Sequence, residues 1–358
     1  MVALYVTSME AAGKTALCAG IGRKLLDRGI KVGFVMPVRL FKASNTDGYD
    51  DVAFIKEIFG LAESSEQLCP ILLSQRELWQ NLTDEVEDFT RKLKQIYRKI
   101  SRGKDVVIME GPGNLDVDKV SALACYTIAE ALEARVIIVV RYSSTLNLPK
   151  IVQIGKKLGQ QLLGIVINFT PEPKMEMLQQ ELIAQFHGAG INVLGVLPEI
   201  RSLLGASVSE LAEILGGEIL TSPEATDNIV ENIMLGAMTL DSGADYFARK
   251  ANKAAVIRSE RPDIQLAALE TSTNCLIITC NMKITCNMKP SPAVISQAEE
   301  KHVPIILVKQ DTTAAITGIE EALTKSSFRS PLKLKMFGDA LDRYFDFKAL
   351  YSELGLKA

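Results

Sequence analysis

Histidine is nearly absent: His187 and His302 are the only two in 358 residues. They stand far apart, so a His-based triad or zinc site has little to build on, and each reads as a structural or solvated ring. The six cysteines (Cys18, Cys69, Cys125, Cys275, Cys280, Cys286) contain no C-x-x-C pair and no disulfide framework. Cys280 and Cys286 sit at a spacing that fits no metal motif. Reduced, buried thiols in a cytoplasmic protein are therefore expected. No apolar run approaches the roughly 18 residues of a membrane helix. The N-terminus lacks a basic region followed by an apolar core and cleavage site. Neither a membrane nor a signal peptide is expected. Charge is balanced, 40 basic against 43 acidic residues for a net −3, which gives no basic surface for nucleic acid or an anionic membrane.

What remains is ordinary globular material, 47% hydrophobic and 23% charged, long enough for two domains with sizeable cores. The chemistry starts at residues 8–15, Ser-Met-Glu-Ala-Ala-Gly-Lys-Thr. An apolar run, residues 3–7, precedes this stretch, and an apolar-periodic segment to about Arg28 follows it. Strand, tight loop, helix is the context in which Gly-Lys-Thr forms a P-loop: backbone amides wrap a phosphate chain, the lysine reaches the terminal phosphates and the hydroxyl holds Mg²⁺. Gly13, Lys14 and Thr15 match, whereas Ser8 stands where the first glycine of the pattern belongs. The expected nucleotide contacts are Ser8, Glu10, Ala12, Gly13, Lys14, Thr15 and Ala16. Glu10 is open between two roles, a second metal or substrate group and a side chain pointing outward, because a carboxylate beside phosphates repels them unless a cation intervenes.

Further along, buried strands are expected at 31–38, 105–109, 135–140, 163–167 and 192–196. They alternate with helices at 83–100, 120–132, 148–158 and 175–186, and 39–75 reads as irregular. Short apolar strands alternating with amphipathic helices give an α/β fold with a mostly parallel sheet covered on both faces. Ligands bind such sheets at the carboxyl ends of the strands. Glu110, before Gly-Pro-Gly at one such end, is the acidic residue that pairs with Thr15 around Mg²⁺. Asn168 ends another strand; its amide suits a nucleobase or a simple turn. Composition shifts near 220, and residues 220–225 resemble a linker. The expected domains are a P-loop domain at 1–219, a smaller α/β domain at 226–330 and a helical tail at 331–358. A hexamer, Ile-Thr-Cys-Asn-Met-Lys, occurs twice in tandem at 278–289; an insertion of six keeps the in/out alternation of a strand, and a bulging loop is expected there.

Together, residues 6–15, 35–38, 109–111, 166–168 and 195–199 resemble a dethiobiotin synthetase-like P-loop domain, in the version found at the N-terminus of long bacterial phosphotransacetylases. Residues 237–238, 252–254, 261–271 and 290–293 resemble the DRTGG domain that follows it there. The resemblance implies a P-loop NTPase-like fold, ATP and Mg²⁺ as cofactors, Asn168 at the nucleotide base, and a regulatory or assembly role for the second domain. It also implies a homo-oligomer or an acyltransferase partner, with acetyl transfer not expected of these residues alone. Two departures stand out. Met36 occupies the place of the substrate-binding lysine of dethiobiotin synthetase, and Arg258, Ser259 and Glu260 replace the glycines and Asp of the DRTGG signature. The alternatives are an ATP-dependent ligase of the dethiobiotin or cobyrinate-amidating type and a nucleotide-free scaffold.

Overall fold

In the computed structural model, which describes residues 1–41, 48–115, 119–143, 146–237, 243–279, 289–325, 328 and 330–356, six apolar runs become six parallel strands. These are β1 (Val2–Ser8), β2 (Val32–Val35), β3 (Val106–Asn114), β4 (Arg135–Arg141), β5 (Leu162–Thr170) and β6 (Val193–Pro198). They pair in the order β2-β3-β1-β4-β5-β6. β1 is central, flanked by β3 and β4, and residues 3–8 along it are buried. A strand sandwiched on both faces gains from apolar side chains at every position, which explains the continuous apolar runs in the sequence.

The chain divides into two compact units, Met1–Glu199 with Leu334–Ala358, and Ile200–Lys333. These limits differ from those expected. Residues 200–219 belong with the second unit: Val208, Leu211 and Leu215 share a core with Val230, Val256 and Ile306, and Glu218–Ile219 pairs antiparallel with Ile305–Leu307. From Leu334 onward the tail belongs to the first unit. Helix Pro331–Tyr344 brings Phe337 and Leu341 against Gly20, where an added Cβ would lie 2.6 Å from Leu341 Cδ1. The stretch 39–75 is not irregular. It holds a helix at Gly48–Phe59, with Val52, Ile55 and Phe59 buried, a capped turn at Ser65–Leu68, and a short parallel pair, Arg39–Leu40 with Leu72–Leu73. Two helices follow, Gln75–Thr83, in addition to those expected, and Val86–Ile100, the helix expected at 83–100. The first is fixed by a Ser74/Glu77 capping box, the S-x-x-E signature of a helix start.

Strands Asn232–Leu235, Lys253–Arg258, Thr273–Thr279 and Ile305–Leu307 form the parallel part of the second unit's sheet. Alternation splits their side chains between two cores: Ala254, Val256 and Ile277 on one face, Ala255, Ile257 and Ile278 on the other. Thr279 ends the third strand; most of the tandem hexamers, including Cys280 and Cys286, lies outside the described residues, as do the polar run 42–47 and Met238. Cys18, Cys69, Cys125 and Cys275 are buried thiols. No helix among the described residues is long and apolar enough to cross a membrane.

The helix that follows β1, α1 (Lys14–Asp27), packs closely. At Gly22 an added Cβ would lie 1.9 Å from Phe59 Cζ. Alanine improves helix propensity by about 1 kcal/mol over glycine, whereas overpacking a filled core costs about 1–3 kcal/mol. Gly22→Ala is expected to lose stability in urea denaturation, and Phe59→Leu in the same chain to recover part of the loss. A more stable Gly22→Ala would show that Phe59 moves aside freely.

Candidate functional site

β1 ends at Ser8, and the chain turns through residues 9–13 into α1. Gly13 caps the helix at φ +88°, ψ 40°, a left-handed conformation that a side chain strains. An added Cβ there would also sit 3.1 Å from Asn168 Nδ2. The first amides of α1 have no carbonyl within the helix to bond, so they and the positive end of the helix dipole face the turn. Ser8 is fully buried, and its hydroxyl donates to Asn114 Oδ1 (3.1 Å). A glycine would leave that contact unmade.

Across from the turn runs the end of β3. Val6 faces Glu110, but Ser8 faces Asn114, four residue steps against two. The surplus bulges Gly111, Pro112 and Gly113 out of register. Glycine is required at two of these positions, since a Cβ at Gly111 would meet Tyr5 Oη at 2.6 Å and one at Gly113 would meet Ser121 Oγ at 2.1 Å. The bulge turns the Gly113 carbonyl toward α1, where it accepts from Lys14 Nζ (2.7 Å).

Glu110, just before the bulge, accepts from the Thr15 hydroxyl through Oε1 (2.9 Å). Its other oxygen, Oε2, is buried and has no hydrogen-bond partner among the described residues. Burial pushes the carboxyl up from 4.5 to about 7, with Asp51 adding to the rise, while the Lys14 ammonium and the Thr15 hydroxyl pull it back. An orphaned, buried carboxylate oxygen beside a hydroxyl is the hard donor pair that Mg²⁺ takes when phosphate and water supply its other ligands. Among the described residues no cluster of three His, Cys, Asp or Glu side chains forms a self-sufficient metal cage. The nearby thiols are held neutral, with burial pushing Cys125 up to about 12.

Asn168 lies beside the same turn, two residues before β5 ends at Thr170. Its Nδ2 donates to the Ala12 carbonyl (3.0 Å) and its Oδ1 accepts from the Phe169 amide (2.9 Å). Its carboxamide thus braces the loop. Phe169 follows in a left-handed conformation, φ 61°, with the Arg141 guanidinium 4.0 Å from its ring centroid. Asn168→Ala strands a carbonyl and an amide, at about 1–3 kcal/mol for a buried group left unmade. It is expected to lower the denaturation midpoint and weaken nucleotide affinity about tenfold by calorimetry. An unchanged affinity would show that the loop holds its shape without the brace.

The structure therefore brings Ser8, Gly13, Lys14, Thr15, Glu110 and Asn168 to one end of the sheet. Ala12 enters through its carbonyl, Ala16 is buried in the first turn of α1, and Glu10 is half-buried in the turn. Asn114, the Gly113 carbonyl and Asp51 are additions that sequence reasoning missed. Met36 is buried at the end of β2, and Arg39 begins the short strand beyond it.

Comparison with known proteins matches the chain to two family models, an AAA domain over residues 2–207 and a DRTGG domain over residues 210–322. An ATP-dependent dethiobiotin synthetase of Methanococcus vannielii is 25% identical, covering 54% of this chain and 92% of the relative. Phosphate acetyltransferases of Haemophilus influenzae and Nitratidesulfovibrio vulgaris are each 24% identical, covering 76% and 98% of this chain. The chain spans only 41% and 51% of the length of those two relatives.

Proposed function

The chain belongs to the AAA-domain family, with a DRTGG domain following in sequence, and from that premise we propose that it is an ATP- and Mg²⁺-binding P-loop protein whose second domain regulates or assembles it. Lys14 and the amides of the turn bind the phosphates, with Ser8, Glu10, Ala12, Gly13 and Ala16 shaping the loop, and Thr15 and Glu110 hold the cation. The observation that carries this reading is the Thr15–Glu110 contact at 2.9 Å with Glu110 Oε2 left over. A bound Mg²⁺ would offset phosphate charge and fix the phosphate chain's orientation. On the protein side, Lys14 would exchange the Gly113 carbonyl, which it holds at 2.7 Å, for a phosphate oxygen. Asn168 holds the loop and stands beside the base. The acetyl transfer and partners of the longer relatives are not assigned to these residues; a homo-oligomer or an acyltransferase partner is the role left to the second domain.

The test is a calorimetric titration of the purified chain with ATP·Mg²⁺, after release and assay of any nucleotide that co-purifies. Saturable binding supports the reading. Absence of binding in a folded, nucleotide-free sample would favour the scaffold alternative. The ligase alternative draws on the dethiobiotin synthetase likeness, but Met36 counts against it: a buried thioether holds neither a carboxylate nor a carbamate.

A further inference from the structure

The second unit carries a cavity of about 280 Å³ at the carboxyl ends of its parallel strands, lined by Gly236, Arg258, Glu260, Arg261 and Thr312 among others. This is where parallel sheets present ligands, and its volume suits a small molecule. We propose that it is a second ligand site, for a small oxyanion bearing a phosphate or carboxylate group, and that Arg258 is its principal contact.

The turn that displays the arginines is built, not incidental. Gln265 is fully buried, and its Nε2 donates to the Arg258 carbonyl (2.7 Å) and the Ser259 carbonyl (3.4 Å). The Ser259 amide donates to the Thr279 carbonyl (3.1 Å). Arg261 is forked onto both oxygens of Asp263 (2.8–3.2 Å), which fixes its direction at the expense of its charge. Arg258 differs. Its side chain is 55% exposed and forms only a loose ion pair with Glu260 at 3.9 Å, too long for a hydrogen bond. Its planar fork matches carboxylate and phosphate alike. Thr312 opens the helix Thr312–Lys325, and its hydroxyl lies 2.9 Å from that of Thr279. Asp311 caps the helix by accepting from the Ala314 amide, so the anion-attracting charge rests on Arg258 and not on the helix end. Arg258 and Glu260, two of the residues that depart from the DRTGG signature, thus line the cavity, and Ser259 between them is buried.

The site is independent of the P-loop reading and is tested with that loop disabled. A ¹⁵N-labelled Lys14→Ala chain is titrated with pyrophosphate and, separately, with citrate, following the Gly236 amide by NMR and the affinity by calorimetry. The expected result is a saturable shift of Gly236 with at least one anion. Which anion binds tells phosphate from carboxylate. Adding Arg258→Ala is expected to weaken that binding at least tenfold, with Arg258→Lys intermediate and the melting temperature unchanged, as befits an exposed side chain. A Gly236 amide unmoved by both anions, or equal affinity with and without Arg258, would overturn the proposal.

Discussion

Lys14→Ala is expected to weaken ATP·Mg²⁺ binding a few hundred-fold in calorimetry, while the chain stays folded. The magnitude follows from what the ammonium does. It stands at the mouth of the turn, 2.7 Å from the Gly113 carbonyl. Removing one partner of a desolvated charge pair costs about 2–5 kcal/mol, and each 1.4 kcal/mol is about tenfold in affinity. The folded state loses less, because the Gly113 carbonyl exchanges one hydrogen bond from the ammonium for water, about 1.5–3 kcal/mol. Lys14 also pulls the Glu110 carboxyl down, so the variant should titrate that group at higher pH than wild type. An affinity within threefold of wild type would mean that the loop does not bind phosphate through this lysine.

Glu110→Gln is expected to act with opposite signs on stability and on binding. In the folded chain the carboxyl titrates at about 7, against 4.5 when unfolded. Between those values the folded state holds the extra proton, so stability is full below about pH 4.5 and falls as pH rises through 7. That difference amounts to about 3 kcal/mol. Glutamine keeps an acceptor for Thr15 and removes the charge, so above pH 7 the variant should be more stable than wild type by up to about 3 kcal/mol in urea denaturation. The two should converge near pH 4.5. Mg²⁺-dependent ATP affinity should instead fall about 10- to 100-fold, the worth of one charge-assisted contact. Wild-type affinity should also rise more steeply between pH 6 and 8 than that of the variant, because the cation selects the ionised carboxylate. Equal denaturation midpoints for the two chains at pH 8 would show that burial does not destabilise the Glu110 charge.

Much of this site can be read along the chain because its core is local. Gly13, Lys14 and Thr15 are consecutive, and the strand before them and helix after them declare themselves by periodicity. Glu110 is legible as an acidic residue at a strand end. The Asn114 contact is not, because it depends on a register shift of β3 against β1, a property of two strands 100 residues apart. Asn168 could be placed at the right edge, but its brace on Ala12 is a long-range contact that no local pattern encodes. The helix Gly48–Phe59 was missed for a different reason. Its apolar residues Val52, Ile55 and Phe59 keep helical spacing, but the polar run before them draws attention as a loop. The domain limits moved because residues 206–219 bury their apolar face in the second unit's core, and the composition shift that suggests a border near 220 falls inside that unit.

The central claim is that Thr15 and Glu110 hold a divalent cation against a phosphate chain seated on the turn before α1. Electron paramagnetic resonance of Mn²⁺·ATP, with Mn²⁺ standing in for Mg²⁺, tests it most directly. The account predicts that adding the wild-type chain at saturating concentration replaces the free Mn²⁺·ATP spectrum with that of an immobilised ion, and that Glu110→Gln at the same concentration leaves most of it free. A spectrum that stays free with wild-type protein, or is immobilised equally by both chains, would contradict it.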